Sequence, residues 1–209
     1  MSDQIIISIG RKYGTRGHQV AEIIAKEMGL KLYDRNLLDE LAAEKEIAVE
    51  NIQKFDEKPR NPFTSKRVGN FAYSREDMIS ELQFDFIRKK ADSGESFVIV
   101  GRCAETVLRG RDGLISIFVT GDKEDCIEHV MKKYKLSRTK AIAKIRRHDK
   151  RRKEYHNNYS ETKWGAADSY DLCVNISKLG LEETARFLQD YINRRKIYEK
   201  VQSSFDGEK

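Results

Sequence analysis

The feature that most constrains the fold lies at the start of the chain. Gln4-Ile5-Ile6-Ile7-Ser8-Ile9 is a short apolar run that stops at Gly10, and Val20, Ile23, Ile24 and Met28 then recur at helical spacing before Gly29. A run this rich in isoleucine, without polar alternation, is a strand buried on both faces, and such strands belong to parallel sheets covered by helices on both sides. Between strand and helix stands Gly10-Arg11-Lys12-Tyr13-Gly14-Thr15-Arg16-Gly17-His18-Gln19. Glycines at this junction let backbone N–H groups converge on an anion, and the helix N-terminus adds its partial positive charge. This is phosphate-binding architecture, and the same glycines also suit a plain strand-to-helix turn.

The remainder repeats the alternation. Further strands are expected at Leu30–Tyr33, Phe97–Val100, Leu114–Thr120 and Asp171–Ile176. Helices are expected over residues 35–54, over 75–93 with Met78, Ile79, Leu82 and Phe86 inward, around Cys126, Ile127, Val130 and Met131, and around Leu181, Ala185, Leu188 and Ile192. The stretch 56–70 holds both prolines and reads as an irregular connection. Strands alternating with helices give an α/β fold with three layers.

The loop departs from the common phosphate-loop pattern G-x-x-x-x-G-K-[ST]. With Val20-Ala21 aligned as the start of the helix core, Gly17 stands where the lysine belongs and Gln19 where the Mg²⁺-binding hydroxyl belongs. Arg11, Lys12 and Arg16 offer replacement charge.

Charge is unevenly distributed. The net charge is +6, yet residues 138–163 alone carry ten Lys or Arg against Asp149, Glu154 and Glu161, which leaves the rest of the chain near −1. A surplus confined to one helical segment favours a focused anion site over a broad polyanion surface, which argues against a nucleic-acid partner. On a helix Arg147 and Arg151 share a face, as do Arg146 and Lys150, and Asp149 is placed to orient them.

Hydrophobic residues make up 39% and charged residues 35%, a balance that excludes a disordered chain. No apolar run approaches the roughly 18–20 residues of a membrane span, and the expectation is no membrane association and no leader peptide. Cys103, Cys126 and Cys173 lack metal-ligand spacing and sit among apolar residues. They are expected to be buried free thiols in a reducing compartment, hence a cytoplasmic protein.

Four ordered motifs carry a resemblance. Ile-Gly-Arg-Lys-Tyr-Gly-Thr-Arg-Gly-His-Gln-Val-Ala at 9–21 with Leu-Tyr-Asp-Arg at 32–35, Val-Ile-Val-Gly-Arg-Cys-Ala at 98–104, Lys-Trp-Gly at 163–165 and Tyr-Asp-Leu-Cys-Val-Asn at 170–175 resemble the cytidylate kinase-like family. The resemblance spans about residues 4–190. It implies a P-loop kinase-like core with a five-stranded parallel sheet (about 1–34, 95–136 and 164–198), a helical arm for the nucleoside monophosphate (about 35–94) and a basic helical LID (about 137–163).

It also implies ATP and Mg²⁺, with CMP or dCMP as the leading acceptor. Arg11, Gly14, Thr15, Arg16, Gly17, His18 and Gln19 would hold ATP; Arg16, Arg146, Arg147 and Arg151 would stabilise the transferred phosphoryl group; Asp34, Arg35 and Arg102 would meet the acceptor. Arginine suits such work because its planar fork binds phosphate oxygens bidentately and stays charged. Asp34 is equally suited to cap the helix that follows, and Trp164 to packing on the core. Cys103 stands where cytidylate kinases carry a base-reading Asp, and a thiol is a poor acceptor for a cytosine amino group. Two further readings remain open: a nucleotide-binding regulator of the same fold, and a kinase for another small acceptor.

Overall fold

The computed structural model describes residues 4–34, 36–44, 66–68, 71–73 and 75–206. Five parallel strands, β1 (Ile6–Arg11), β2 (Lys31–Tyr33), β5 (Phe97–Val100), β6 (Leu114–Thr120) and β7 (Leu172–Asn175), form one sheet in the order β2-β5-β1-β6-β7. β1 is central and pairs with β5 from Ile6↔Phe97 and with β6 from Ile6↔Leu114. A separate antiparallel pair, β3 (Lys66–Val68) and β4 (Phe71–Tyr73), falls at the end of and just beyond the stretch expected to be irregular.

The three layers follow from the period-2 alternation of side chains. Ile7 and Ile9 of β1, with Val98, Val100, Ile117 and Val119, face α1 (Gly17–Glu27) and α7 (Ile176–Asp206), through Val20, Ile24, Leu188 and Ile192. Ile6, Phe97 and Ile99 face the other way, onto Leu37 and Leu41 of α2 (Asn36–Glu44), Phe86 and Ile87 of α3 (Arg75–Asp92), and Ala104 of the short α4 (Ala104–Val107). Tyr33 is fully buried on this side, edge-on to Phe86 and Phe97, and donates to Glu95 at 2.8 Å. Burial and that hydrogen bond push its pKa up to about 12.

A third packing unit lies at the C-terminal edge of the strands. α5 (Lys123–Tyr134) and α6 (Arg138–Tyr159) bury Ile127, Val130 and Ala141 against one another, with Tyr13, Met131 and Ile145 at the margin. The basic segment is thus one continuous helix docked along α5.

Several boundaries differ from expectation. β1 continues through Gly10, which pairs with Phe118 instead of ending the strand. A Cβ at Gly10 would come within 2.8 Å of the Phe118 ring, so glycine is required by the close ring, with the strand running on. α2 is described only to Glu44, and the rest of the expected 35–54 helix lies outside the described residues. Cys103 and Cys126 are buried, but Cys173 is exposed. It sits on β7, the last strand of the sheet, which has a partner on one side only.

Candidate active site

β1 delivers Arg11 and β5 delivers Val100 to the C-terminal edge of the sheet, where open α/β sheets bind ligands. A cavity of about 820 Å³ opens there. Arg11, Lys12, Tyr13, Gly14, Arg16, Gly17, His18 and Gln19 line it from the loop, Asp34 and Arg102 from the ends of neighbouring strands, and Lys144, His148, Arg151 and Arg152 from α6.

The loop is held by its own residues. Thr15 is buried and does not line the cavity; its hydroxyl donates to the Lys12 carbonyl at 2.9 Å and accepts from Gly17 N–H at 3.3 Å. Arg16 adopts a left-handed conformation (φ 61°) as the N-cap of α1. That geometry costs a non-glycine residue about 1–2 kcal/mol and is often found at functional sites. Gly14 is left-handed too (φ 89°), and a Cβ there would meet the Cys126 carbonyl at 2.9 Å.

Gly17 explains the absent lysine. A Cβ at this position would lie 2.8 Å from Arg11 Cβ and 3.2 Å from Val119 Cβ, so α1 starts too close to β1 and β6 for any side chain. The phosphate-loop lysine position is therefore filled by backbone, and the cations come from Arg11, Lys12 and Arg16 on the loop and from α6.

α6 is tied to the loop at three points. Asp149 accepts a hydrogen bond from Tyr13 N–H at 2.7 Å, Arg152 donates to the Arg11 carbonyl at 3.2 Å, and the Tyr13 and His148 rings stack. Asp149 was expected to orient arginines; its hydrogen bond from Tyr13 N–H fixes the loop backbone, and burial raises its pKa against that bond. His148 is pushed down to about 4, first by burial and then by Lys144, Arg152, Arg147 and Arg151. It is therefore neutral at pH 7. At the far end of α6, buried His156 meets Glu105 of α4 at 2.8 Å, and Glu105 accepts from Ser8 of β1 at 3.2 Å.

The four arginines expected to act on the phosphoryl group separate. Arg16 and Arg151 line the cavity, whereas Arg146 and Arg147 are exposed on α6 and do not. The residues of α6 that reach the cavity are 144, 148, 151 and 152, so of the 147 and 151 row only Arg151 arrives there and of the 146 and 150 row neither residue does. Lys144 and His148 were missed as site residues, while Arg152, one of the basic residues read as a phosphate contact, does line the cavity; the i, i+4, i+8 spacing of 144, 148 and 152 is the signal that marks this face.

Asp34 does two things. It exchanges hydrogen bonds with Asn36 at the start of α2 (2.8 and 3.2 Å), and its Oδ2 contacts His18 Nε2 in the cavity wall. That hydrogen bond raises the His18 pKa against the opposing effect of burial. Arg35 lies outside the described residues.

After β5, Gly101, Arg102 and Cys103 are all left-handed (φ 79°, 61° and 53°). This turn sends the buried Arg102 guanidinium back to Gln83 Oε1 at 3.3 Å and to the Asp34 carbonyl at 3.2 Å. Cys103 turns inward against Phe84 and Tyr155. Trp164 packs edge-on to Phe118 at 5.3 Å and does not line the cavity.

For Mg²⁺, the carboxylate on the cavity wall is Asp34; among the described residues no group of three His, Cys, Asp or Glu side chains could hold a metal ion. The donor set fits an ion carried mainly by nucleotide phosphates and water. Among the described residues, no helix is long and apolar enough to cross a membrane.

The model of the cytidylate kinase-like family matches residues 6–178. A crystal structure of an uncharacterized protein from Eubacterium ventriosum ATCC 27560 is 36% identical, with a TM-score of 0.72 over 91% of this chain and 99% of that one. Shikimate kinase from Bacteroides thetaiotaomicron (12% identity, TM-score 0.54, 90% of this chain and 98% of that one) shares the fold. So does a gluconokinase from Sinorhizobium meliloti 1021 (14%, 0.54, 97% and 99%). Among curated proteins, none matches this sequence.

Proposed function

We propose that this chain, which belongs to the cytidylate kinase-like family, is an ATP-dependent phosphotransferase for a small acceptor. One observation carries the reading: a phosphate-type loop, a basic helix and the ends of two further strands line a single cavity at the C-terminal edge of the sheet. Phosphoryl transfer asks a protein chiefly for positioning and charge stabilisation. Gly14, Arg16, His18 and Gln19 offer backbone N–H groups and the α1 N-terminus to ATP phosphates, with Thr15 holding the loop from beneath through Gly17 N–H. Arg11, Lys12, Arg16, Arg151 and Arg152 supply cations that stay in place as charge moves. Mg²⁺ would screen the phosphates. α6, as a LID, would keep water from the transferring group.

The family resemblance makes a nucleoside monophosphate, CMP or dCMP, the first acceptor to test. Against cytosine recognition stands Cys103, which is packed inward. A second reading, a nucleotide-binding regulator, draws on Asp149, whose carboxylate occupies the Tyr13 N–H that a phosphate oxygen would otherwise use. ADP release measured across CMP, dCMP, UMP, AMP and hydroxyl acceptors, beside direct ATP binding, separates the two. Acceptor-dependent turnover supports the kinase; tight ATP binding with none supports the regulator.

A further inference from the structure

We propose that His18 and Asp34 form a proton-accepting dyad for an acceptor hydroxyl, so that the molecule phosphorylated is an alcohol. The proposal rests on the phosphotransferase reading and narrows its acceptor class.

His18, the second residue of α1, and Asp34, just after β2, come from separate elements and meet in the cavity wall through Nε2 and Oδ2. The pair is anchored on both sides. Glu22, one turn along α1, lies 3.5 Å from His18 Nδ1. Asn36 of α2 donates to Asp34 Oδ1, and Arg102 donates to the Asp34 carbonyl. Arg102 therefore holds the backbone of Asp34 in place.

The chemistry of the two acceptor classes differs. A phosphate oxygen arrives ionised and needs cations, not a base. A hydroxyl must lose its proton as it bonds to phosphorus, and a positioned side chain that takes the proton contributes about 10²–10⁴-fold. The wall beside Arg16 carries a carboxylate and an imidazole in contact, proton-accepting groups that an alcohol needs and an ionised phosphate oxygen does not. Cys103, packed inward, removes the base-reading carboxylate that a cytidine acceptor would use.

The step balances without any further reactant. In the acting form one proton lies between Nε2 and Oδ2. The acceptor hydroxyl gives a second to the Asp34 carboxylate, its oxygen bonds to the γ-phosphorus, and the bond from that phosphorus to the ADP oxygen breaks with its electron pair leaving on ADP. The dyad must hold no more than one proton to act, so activity has an acid limb that belongs to the pair. The charged groups acting on it are Glu22 on the same helix and Arg11 on β1, whose charge opposes His18 protonation; Arg16 and Lys12 on the loop, Arg102 after β5, Lys133 on α5, and Lys144, Arg151 and Arg152 on α6 line the same cavity.

The test uses the full chain with ATP and Mg²⁺. ADP release is followed with shikimate, gluconate, glycerate, hexoses and nucleosides, with CMP and dCMP, and with water alone. Turnover with a hydroxyl acceptor is expected, with an acid limb in kcat. Asp34→Asn, which keeps the hydrogen bond from Asn36, should lower kcat 10²–10⁴-fold with less than about a tenfold change in acceptor KM, and should lower water-dependent ATP hydrolysis in parallel. His18→Gln should move or abolish the acid limb. Independently of activity, the His18 ring followed by NMR should titrate above an ordinary histidine and fall in Asp34→Asn. Turnover confined to nucleoside monophosphates, no turnover with any hydroxyl acceptor, or an acid limb unchanged in both variants overturns the dyad. ATP that fails to bind in equilibrium dialysis overturns the phosphotransferase reading itself, so the two failures are distinct.

Discussion

Tyr13 of the loop lies flat against His148 of α6, their ring centroids 4.2 Å apart and their planes within 5°. Lys144 and Arg152 stand by the same tyrosine ring at 5.9 and 5.5 Å from its centroid, so one aromatic ring gathers cations of the helix onto the loop. Tyr13→Ala should lower stability by about 1–2 kcal/mol and raise the ATP KM, because the stack and the cation contacts go together. Tyr13→Phe keeps the ring and should stay close to wild type in both. Urea unfolding and steady-state kinetics read the two effects.

His148 gives a pH signature. Its folded pKa is depressed to about 4, below the 6.5 of a free histidine, so the unfolded chain takes up a proton that the folded chain refuses. The neutral stack contributes stability that is present above about pH 6.5 and is lost as pH falls toward 4. His148→Phe keeps a flat ring and cannot titrate. Thermal melts between pH 4 and 7.5 should show a shallower acid decline for the variant, and identical slopes would contradict the assignment.

Position 17 cannot take the missing lysine. Gly17→Ala forces a Cβ to within 2.8 Å of Arg11 Cβ, and Gly17→Lys carries the same clash. Restoring the common motif should therefore cost about 1–3 kcal/mol, as overpacking does, and weaken ATP binding. A lysine variant with tighter ATP binding and unchanged melting would overturn this.

Arginines on one helix should separate by face. Arg151→Ala removes a cavity cation and is expected to lower kcat by about 10-fold or more, an electrostatic loss of the kind seen when a transition-state donor is removed. Arg147→Ala removes an exposed side chain outside the cavity and should change kcat less than about threefold. Equal losses would show that α6 rotates before chemistry.

Thiol chemistry should be split. Cys173 is exposed, whereas Cys103 and Cys126 are buried, and burial holds Cys126 near 11. Alkylation of the native protein near pH 8 should label Cys173 first and leave the other two until unfolding, as peptide mapping would show.

Local pattern carried much of this molecule. The isoleucines of β1 on both faces, the loop glycines and the helical spacing of Val20 and Ile24 require strand, anion site and covering helix in that order. The charge surplus at 138–163 belongs to one helix beside the loop. Period is a local property, set by 2.0 and 3.6 residues per repeat, and so it can be read without neighbours.

Other features depend on residues far apart in sequence. Gly10 looks like a strand end until Phe118 is placed against it, and Gly17 looks like a lost lysine until Arg11 and Val119 crowd its Cβ position. The side of α6 that meets the cavity depends on how α6 docks along α5, which selects His148 and Arg151 over Arg146 and Arg147. His18 and Asp34 meet only because the helix after β1 and the end of β2 reach the same edge of the sheet. The sequence by itself determined the layers, the anion-binding loop and the basic helix, since each is written in consecutive residues. The tertiary structure alone decided which side chains share the cavity, because a contact across 16 or 136 positions is fixed by strand order and packing.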